Sequence, residues 1–295
     1  MRVAVGIDLG GTNVKGIVLD EAGTVLHRHS IPTNDDNYGH WRENVLEMVA
    51  YLKDTYGEEV DVIGMSCPGL ANAQNTCILH MPGRLPGLEN LHWEPYFNIR
   101  TFVLNDAHAA LIAEAKFGEI QGYKNAVLLT LGTGVGGGIL INGELYQGEG
   151  QMAGHFGHIS INSHDDELSV TGMPGSLEYA IGNYSIQRRS SGRFTSTLDL
   201  VKAYNDGDHF ATWLWLDLVR KLALAIASFA NSFSPQIVVL AGGITQAGNA
   251  LTEPLQQFVS MYEWRPNKKT TLVKLARFND LSGAIGAAAF ALTKI

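Results

Sequence analysis

Three kinds of short stretch in this 295-residue chain carry residue types that could do chemistry: glycine turns, a paired Asn-Asp, and closely spaced histidines. Asp8 precedes Gly10, Gly11 and Thr12, and a second turn holds Gly132, Thr133 and Gly134. Glycine permits positive φ and close approach, and successive backbone N–H groups form a concavity that binds anions. Two such turns suit a polyphosphate. A carboxylate that ends a buried strand beside such a turn pays desolvation and repulsion unless a cation intervenes, so Asp8 points to Mg²⁺, held through water. For either turn alone, a tight hairpin is the simpler reading. Neither turn is a Walker loop, and "GTGVGGG" runs into a strand rather than a helix, against a dinucleotide fingerprint. In "GHFGH", His155 and His158 stand three apart between glycines, a spacing open to a metal site, a substrate grip or a plain turn.

The elements that must position these residues are α/β. Val- and Ile-rich runs ("RVAVGID", "VKGIVLD", "DVIGMS", "TFVL", "NAVLLTL", "GGILI", "QIVVLAGG", "TLVKLA") alternate with helical patterns at 40–56, 106–117, 208–233, 246–261 and 282–293. The short turns "GGTN" and "DEAGT" predict an antiparallel meander at the start. "VGIDLGGTNVKGIVLD" and "VLLTLGTGVGGGILIN", 122 positions apart, match at Val5/Val127, Leu9/Leu131, Gly10/Gly132, Gly16/Gly138 and Ile17/Ile139, which suggests two related lobes. Residues 67–90 form a long aperiodic connection of the kind that carries function.

Composition narrows the classes. A net charge of −8 disfavours nucleic acid and anionic membrane surfaces. The apolar stretch from Trp213 to Phe233 is broken by Asp217, Arg220 and Lys221, so it reads as a buried helix. Two cysteines and no export signal lead us to expect a cytoplasmic protein.

Asn105 and Asp106 follow a strand and open a helix, where local sequence alone favours an N-cap. The ordered series "GIDLGGTNVKG", "PGL", "LNDAHAA", "LGTGVGGGI", "GHFGH", "SLE", "LAGGI" and "GAIGAAAFA" resembles the ROK (repressor, open reading frame, kinase) sugar kinases along the whole chain. The resemblance implies a two-lobed actin-like ATPase fold with the active site in the cleft between lobes. It assigns residues 1–117 plus 280–295 to an N-terminal lobe and 118–279 to a C-terminal lobe. It further implies ATP and Mg²⁺, with Asp106 as the base that accepts the proton of a hexose hydroxyl, expected to be the 6-hydroxyl. Sugar contacts fall on Gly69, Arg84, Asn105, His155, His158 and Glu178. Phosphate contacts fall on Asp8, Gly10, Gly11, Thr12, Gly132, Thr133 and Gly134, and an adenosine contact on Gly242 and Gly243. A helix N-terminus should keep Asp106 ionised, making it a positioned base rather than a strong one. The family's dimers imply a homodimer.

Three departures bear on specificity. Many family members hold a structural zinc with the histidine of the "GH" dipeptide and the cysteines of C-x-C-G-x-x-G-C-x-E. Here the stretch is "SVTGMPGSLE", with Ser169, Thr171 and Ser176 at the cysteine positions, so no structural zinc is expected. A separate metal site from His155, His158 and His164 with Asp165 or Asp166 is the disfavoured alternative. His155 stands where most members have a sugar-gripping Glu, and an imidazole cannot accept from two hydroxyls as a carboxylate does. Arg84 stands where they have Asn, and as a pure donor it could reach an acidic or acetylated substituent, or be a loop charge. A non-catalytic sugar sensor is the competing reading. A DNA-binding repressor is disfavoured, because the first motif begins too near Met1 for a preceding helix-turn-helix.

Overall fold

The computed structural model describes residues 2–36, 39–164, 166–266, 268 and 270–295. In chain order the strands are β1 (Val3–Leu9), β2 (Asn13–Asp20), β3 (Val25–Pro32), β4 (Val62–Cys67), β5 (Leu70–Ala71), β6 (Ile78–His80), β7 (Thr101–Asn105), β8 (Ala126–Leu131), β9 (Val135–Ile141), β10 (Glu144–Tyr146), β11 (Ile237–Ala241) and β12 (Leu272–Leu275). The helices are α1 (His40–Tyr56), α2 (Glu94–Phe97), α3 (Asp106–Phe117), α4 (Leu177–Ile181), α5 (Ile186–Arg189), α6 (Thr197–Asn205), α7 (His209–Phe233), α8 (Asn249–Tyr262) and α9 (Ser282–Leu292). They form two compact units, one of Met1–Gly122, Gln147–Ala153 and Arg277–Ile295, the other of Tyr123–Tyr146 and Gly154–Ala276.

The first unit is built on a sheet of order β3-β2-β1-β4-β7, antiparallel through β1–β2–β3 and parallel through β1–β4–β7. The expected opening meander is present. Side chains alternate across a strand, so Val3, Val5, Ile7 and Leu9 join the core that includes Trp41, Met48 and Leu52 of α1. Ala4, Gly6 and Asp8 point to the other face, which α9 covers. That face is lined for close approach: a Cβ on Gly6 would overlap the Ala284 carbonyl, and one on Gly64 the Ala287 carbonyl. Helix α9 rides on strand backbone, and Gly283–Leu292 is buried throughout. Small side chains are what let it sit so low.

The second unit has the order β10-β9-β8-β11-β12, with β8–β9–β10 antiparallel and β8–β11–β12 parallel. This repeats the strand directions of the first sheet, and the two glycine hairpins that match in sequence occupy equivalent places, β1–β2 and β8–β9. Helix α7 starts at its Asp208 cap, which accepts from Ala211 N at 2.8 Å, and buries Leu214, Leu218, Leu222 and Ile226 along one face. Trp215 Nε1 ties it to the Ala250 carbonyl at the start of α8 (2.8 Å). No helix among the described residues is long and apolar enough to cross a membrane.

Candidate active site

The first glycine turn closes between β1 and β2. Gly10 N donates to the Asn13 carbonyl (3.1 Å), Thr33 N to the Thr12 carbonyl (2.8 Å), and Thr33 Oγ1 to the Gly10 carbonyl (2.6 Å). The segment after β3 therefore holds the turn from behind. Asp8 lies opposite Lys15 of β2 and Ser66 of β4. Ser66 Oγ donates to Asp8 Oδ1 at 2.7 Å, and Gly283 at the start of α9 comes so close that a Cβ there would overlap the carboxylate. Burial pushes the Asp8 carboxyl up to about 6, the Ser66 bond opposes this, and the charge of Asp106 adds to the rise. A carboxylate whose ionisation the protein disfavours is the hard oxygen donor that a divalent cation would complete, so the residues present fit Mg²⁺. Lys15 pairs with Asp280.

Arg84 does not project as a free loop charge. Its Nε donates to Asp35 Oδ2 (2.9 Å), its Nη2 lies 2.8 Å from the same oxygen, and Nη2 also donates to the Gly11 carbonyl (3.2 Å). Leu85 N donates to the other Asp35 oxygen at 2.8 Å. The long connection is thereby fastened to the first glycine turn.

Asn105 ends β7 and caps α3, its Oδ1 accepting from Ala107 N (3.0 Å) and His108 N (3.3 Å) while its Nδ2 donates to the Gly69 carbonyl (3.0 Å). Gly69 has a φ of +98°, and a side chain there would press on the His80 carbonyl. Asp106, the first helical residue, accepts from Ala107 N at 2.8 Å and keeps solvent access. Protein crowds it on its other sides, and that desolvation raises its pKa above the ordinary carboxylate value against hydrogen bonds from Ala107 and Asn105. The net direction is opposite to what the helix N-terminus alone would give, and it makes Asp106 a better proton acceptor.

In the second unit, Gly132 N donates to the Gly134 carbonyl (3.0 Å), and Asn183 N and Tyr184 N donate to the Gly132 and Thr133 carbonyls (3.0 and 3.2 Å). Glu178, near the start of α4, reaches this turn: its Oε2 accepts from Val135 N (3.2 Å), and a Cβ on Gly134 would overlap it. Glu178 Oε1 is buried with no hydrogen-bond partner among the described residues. In "GHFGH", Gly157 packs on the Val135 carbonyl, Phe156 packs tilted against Phe229 with ring centres 4.1 Å apart, and the rings of His155 and His158 lie near-parallel with centres 6.4 Å apart. The three positions that replace cysteines form hydrogen bonds instead. His158 Nδ1 meets Thr171 Oγ1 (3.1 Å), Thr171 Oγ1 meets Ser169 Oγ (3.0 Å), and Ser176 caps α4 by accepting from Tyr179 N (3.0 Å). Among the described residues no group of three or more His, Cys, Asp and Glu is placed to hold a metal. Asp165 lies outside those residues. Gly242 has a φ of +92° with its α-hydrogens against the Leu131 carbonyl, so only glycine fits, whereas Gly243 faces open space. The turn after β11 is a short 3₁₀ segment, Gly243–Ala247, rather than the start of α8.

Sequence reasoning passes over Ser66, Thr33 and Asp35. Ser66 has a signal, a lone hydroxyl in an apolar strand. Asp35 sits in "TNDDN", one of two adjacent aspartates in a polar loop, with nothing to mark it as the partner of an arginine 49 residues on.

Comparison with known proteins fits this arrangement. The glucokinase of Thermotoga maritima is 29% identical over 99% of this chain and 98% of its own length. The N-acetyl-D-glucosamine kinase of Haemophilus influenzae is 28% identical over 98% and 99%. The crystal structure of a ROK hexokinase from Thermus thermophilus superposes with a TM-score of 0.85 at 26% identity, covering 99% of each chain, so the fold is the α/β actin-like ATPase fold. The ROK family profile matches residues 4–294. With the glycine turns, the capped Asn-Asp pair and the histidine loop all in family order, the chain belongs to the ROK family.

Proposed function

We propose that this protein is an ATP-dependent kinase of a hexose or hexose derivative, acting on the 6-hydroxyl with Asp106 as general base. The observation that carries the reading is the state of Asp106: held by a backbone N–H at the head of α3, open to solvent, and raised in pKa by its surroundings. Family membership and the names of the relatives, glucokinase and N-acetyl-D-glucosamine kinase, support the same chemistry. Asp106 takes the proton of the sugar hydroxyl as that oxygen bonds to the γ-phosphorus, while the bond from phosphorus to the bridging oxygen breaks and ADP leaves with its electron pair. Positioning and charge neutralisation dominate such a transfer. Gly10, Gly11, Thr12, Gly132, Thr133 and Gly134 would offer backbone N–H groups to phosphates, and Gly242 and Gly243 are assigned to adenosine. Asp8 would hold Mg²⁺ through water, and the ion, when bound, neutralises charge on the transferring group. Asn105, Gly69, His155, His158 and Glu178 are assigned to the sugar, with Glu178 Oε1 lacking a partner that a hydroxyl would supply. With His155 in place of a carboxylate, hydroxyl recognition differs from that of a family member carrying Glu. We further propose a cytoplasmic homodimer.

The test is a coupled ADP-release screen with Mg²⁺ and ATP over glucose, mannose, allose, fructose and N-acetylated hexosamines. Turnover on at least one sugar is expected. No turnover on any of them overturns the kinase reading in favour of a non-catalytic sugar sensor.

A further inference from the structure

We infer that Arg84 is a phosphate-binding residue of the first glycine turn, held in place by Asp35, rather than a contact to the sugar. The inference rests on the reading of Gly10–Thr12 as a phosphate turn and deepens it. The guanidinium turns its Nη1–Nη2 edge toward Gly11: a Cβ built there would stand 2.7 Å from Nη1, 2.8 Å from Nη2 and 3.1 Å from the central carbon. Any anion seated on the turn therefore meets this cation. Two donors are already committed, Nε to Asp35 and Nη2 to Asp35 and the Gly11 carbonyl. Nη1 donates to nothing among the described residues, and the Arg84 side chain remains 45% exposed while that of Asp35 is 17% exposed. The Nε–Nη2 edge of the fork is anchored on Asp35 and the Nη1–Nη2 edge faces the turn at Gly11, which leaves Nη1 as the donor for a phosphate oxygen seated there.

Charge supports the same conclusion. Asp8, Asp35 and Asp106 all belong to this unit, and a polyphosphate brought to the turn adds further negative charge. A fixed arginine there needs no reorganisation when the phosphoryl group transfers, which is where such donors contribute most. Asp35 is a positioning residue: it meets no phosphate itself, but it sets the rotamer of Arg84 and, through Leu85 N, the path of the loop that carries it.

The experiment measures Arg84→Gln, Arg84→Lys and Asp35→Asn by two readouts. The first is calorimetric binding of a non-hydrolysable ATP analogue with Mg²⁺ in the absence of sugar. The second is steady-state kinetics with ATP and sugar varied separately. For Arg84→Gln we expect kcat/KM for ATP to fall about 10²-fold and analogue affinity to weaken by at least tenfold. Sugar KM should stay within about twofold. Arg84→Lys should recover part of the loss through charge without the fork, and Asp35→Asn should lose about tenfold with the same split between nucleotide and sugar. Unchanged analogue affinity in Arg84→Gln, or a loss confined to sugar KM, overturns the assignment. If the wild-type protein binds the analogue but phosphorylates no sugar, the kinase reading fails while the binding comparison still decides the role of Arg84. If the wild type does not bind the analogue, the phosphate turn itself is refuted and the inference with it.

Discussion

Replacing Asp8 by Asn should stabilise the protein while abolishing its activity, and the gain should grow with pH. Burial raises the Asp8 carboxyl from an ordinary 3.8 to about 6 in the folded chain. A raised folded-state value means the folded protein binds more protons than the unfolded one between those two pH values, so ionisation works against folding as pH rises through the window. With these values, linkage puts the cost of the charge at about 3 kcal/mol by pH 8 and about 1.6 kcal/mol at pH 5. Residual solvent access at Asp8 reduces the upper figure to about 2 to 3 kcal/mol. Asn is nearly isosteric and its side-chain oxygen can still accept from Ser66, so the substitution removes the charge while keeping the packing against Gly283. The assay is urea unfolding of wild type and Asp8→Asn at pH 5, 6, 7 and 8 without nucleotide. The stability difference should widen by about 1 to 1.5 kcal/mol across the series in favour of the variant. A difference that stays flat with pH, or one that increasingly favours the wild type, would refute the claim that Asp8 is held ionised at a cost that a cation relieves.

Asp106→Asn should lower kcat by about 10²- to 10⁴-fold with the folded spectrum retained, and wild-type kcat/KM should fall as pH drops through a value above the ordinary carboxylate range. Near wild-type turnover in the variant would remove Asp106 as base. Gly286→Ala should destabilise by about 1 to 3 kcal/mol in urea unfolding, because the new Cβ overlaps the Ala109 carbonyl of α3. Helix propensity alone would give about 1 kcal/mol the other way, so the sign decides between them. Thr171→Val should cost about 1 kcal/mol by removing the partner of His158 Nδ1, and elemental analysis of the wild type should find no stoichiometric zinc.

The parts of the fold that were legible in sequence are those set by local signals. Helix α3 follows Asn105 because that side chain satisfies free N–H groups, and α7 follows Asp208 for the same reason. The two sheets were readable because Val- and Ile-rich runs bounded by glycine turns admit little else. Helix α6 was missed: it is nine residues long and buries only Thr197, Leu200 and Val201, too short a stripe to stand out. In the site, the turns and the Asn-Asp pair were legible because backbone geometry demands glycine or a cap. What was not legible depends on chain segments meeting across long separations. Asp106 is raised rather than depressed because of what crowds it, Arg84 is committed to Asp35 and Gly11, and Glu178 reaches the Gly134 turn from 44 positions on.

The seating of α9 on bare strand backbone has a consequence for how the chain is made. The strands of the first unit precede those of the second along the chain, yet the face of β1 and β4 that Gly6 and Gly64 open up stays uncovered until Ser282–Leu292 has been synthesised. The second unit, ending at Ala276, has all its strands beforehand. Domains fold as units during synthesis, at about 5 to 20 residues per second, so the first unit is completed after the second and carries an uncovered sheet face while the residues between are made. The nascent chain is thus most open to aggregation, and most dependent on chaperones, until Ser282–Leu292 has been made and can cover that face.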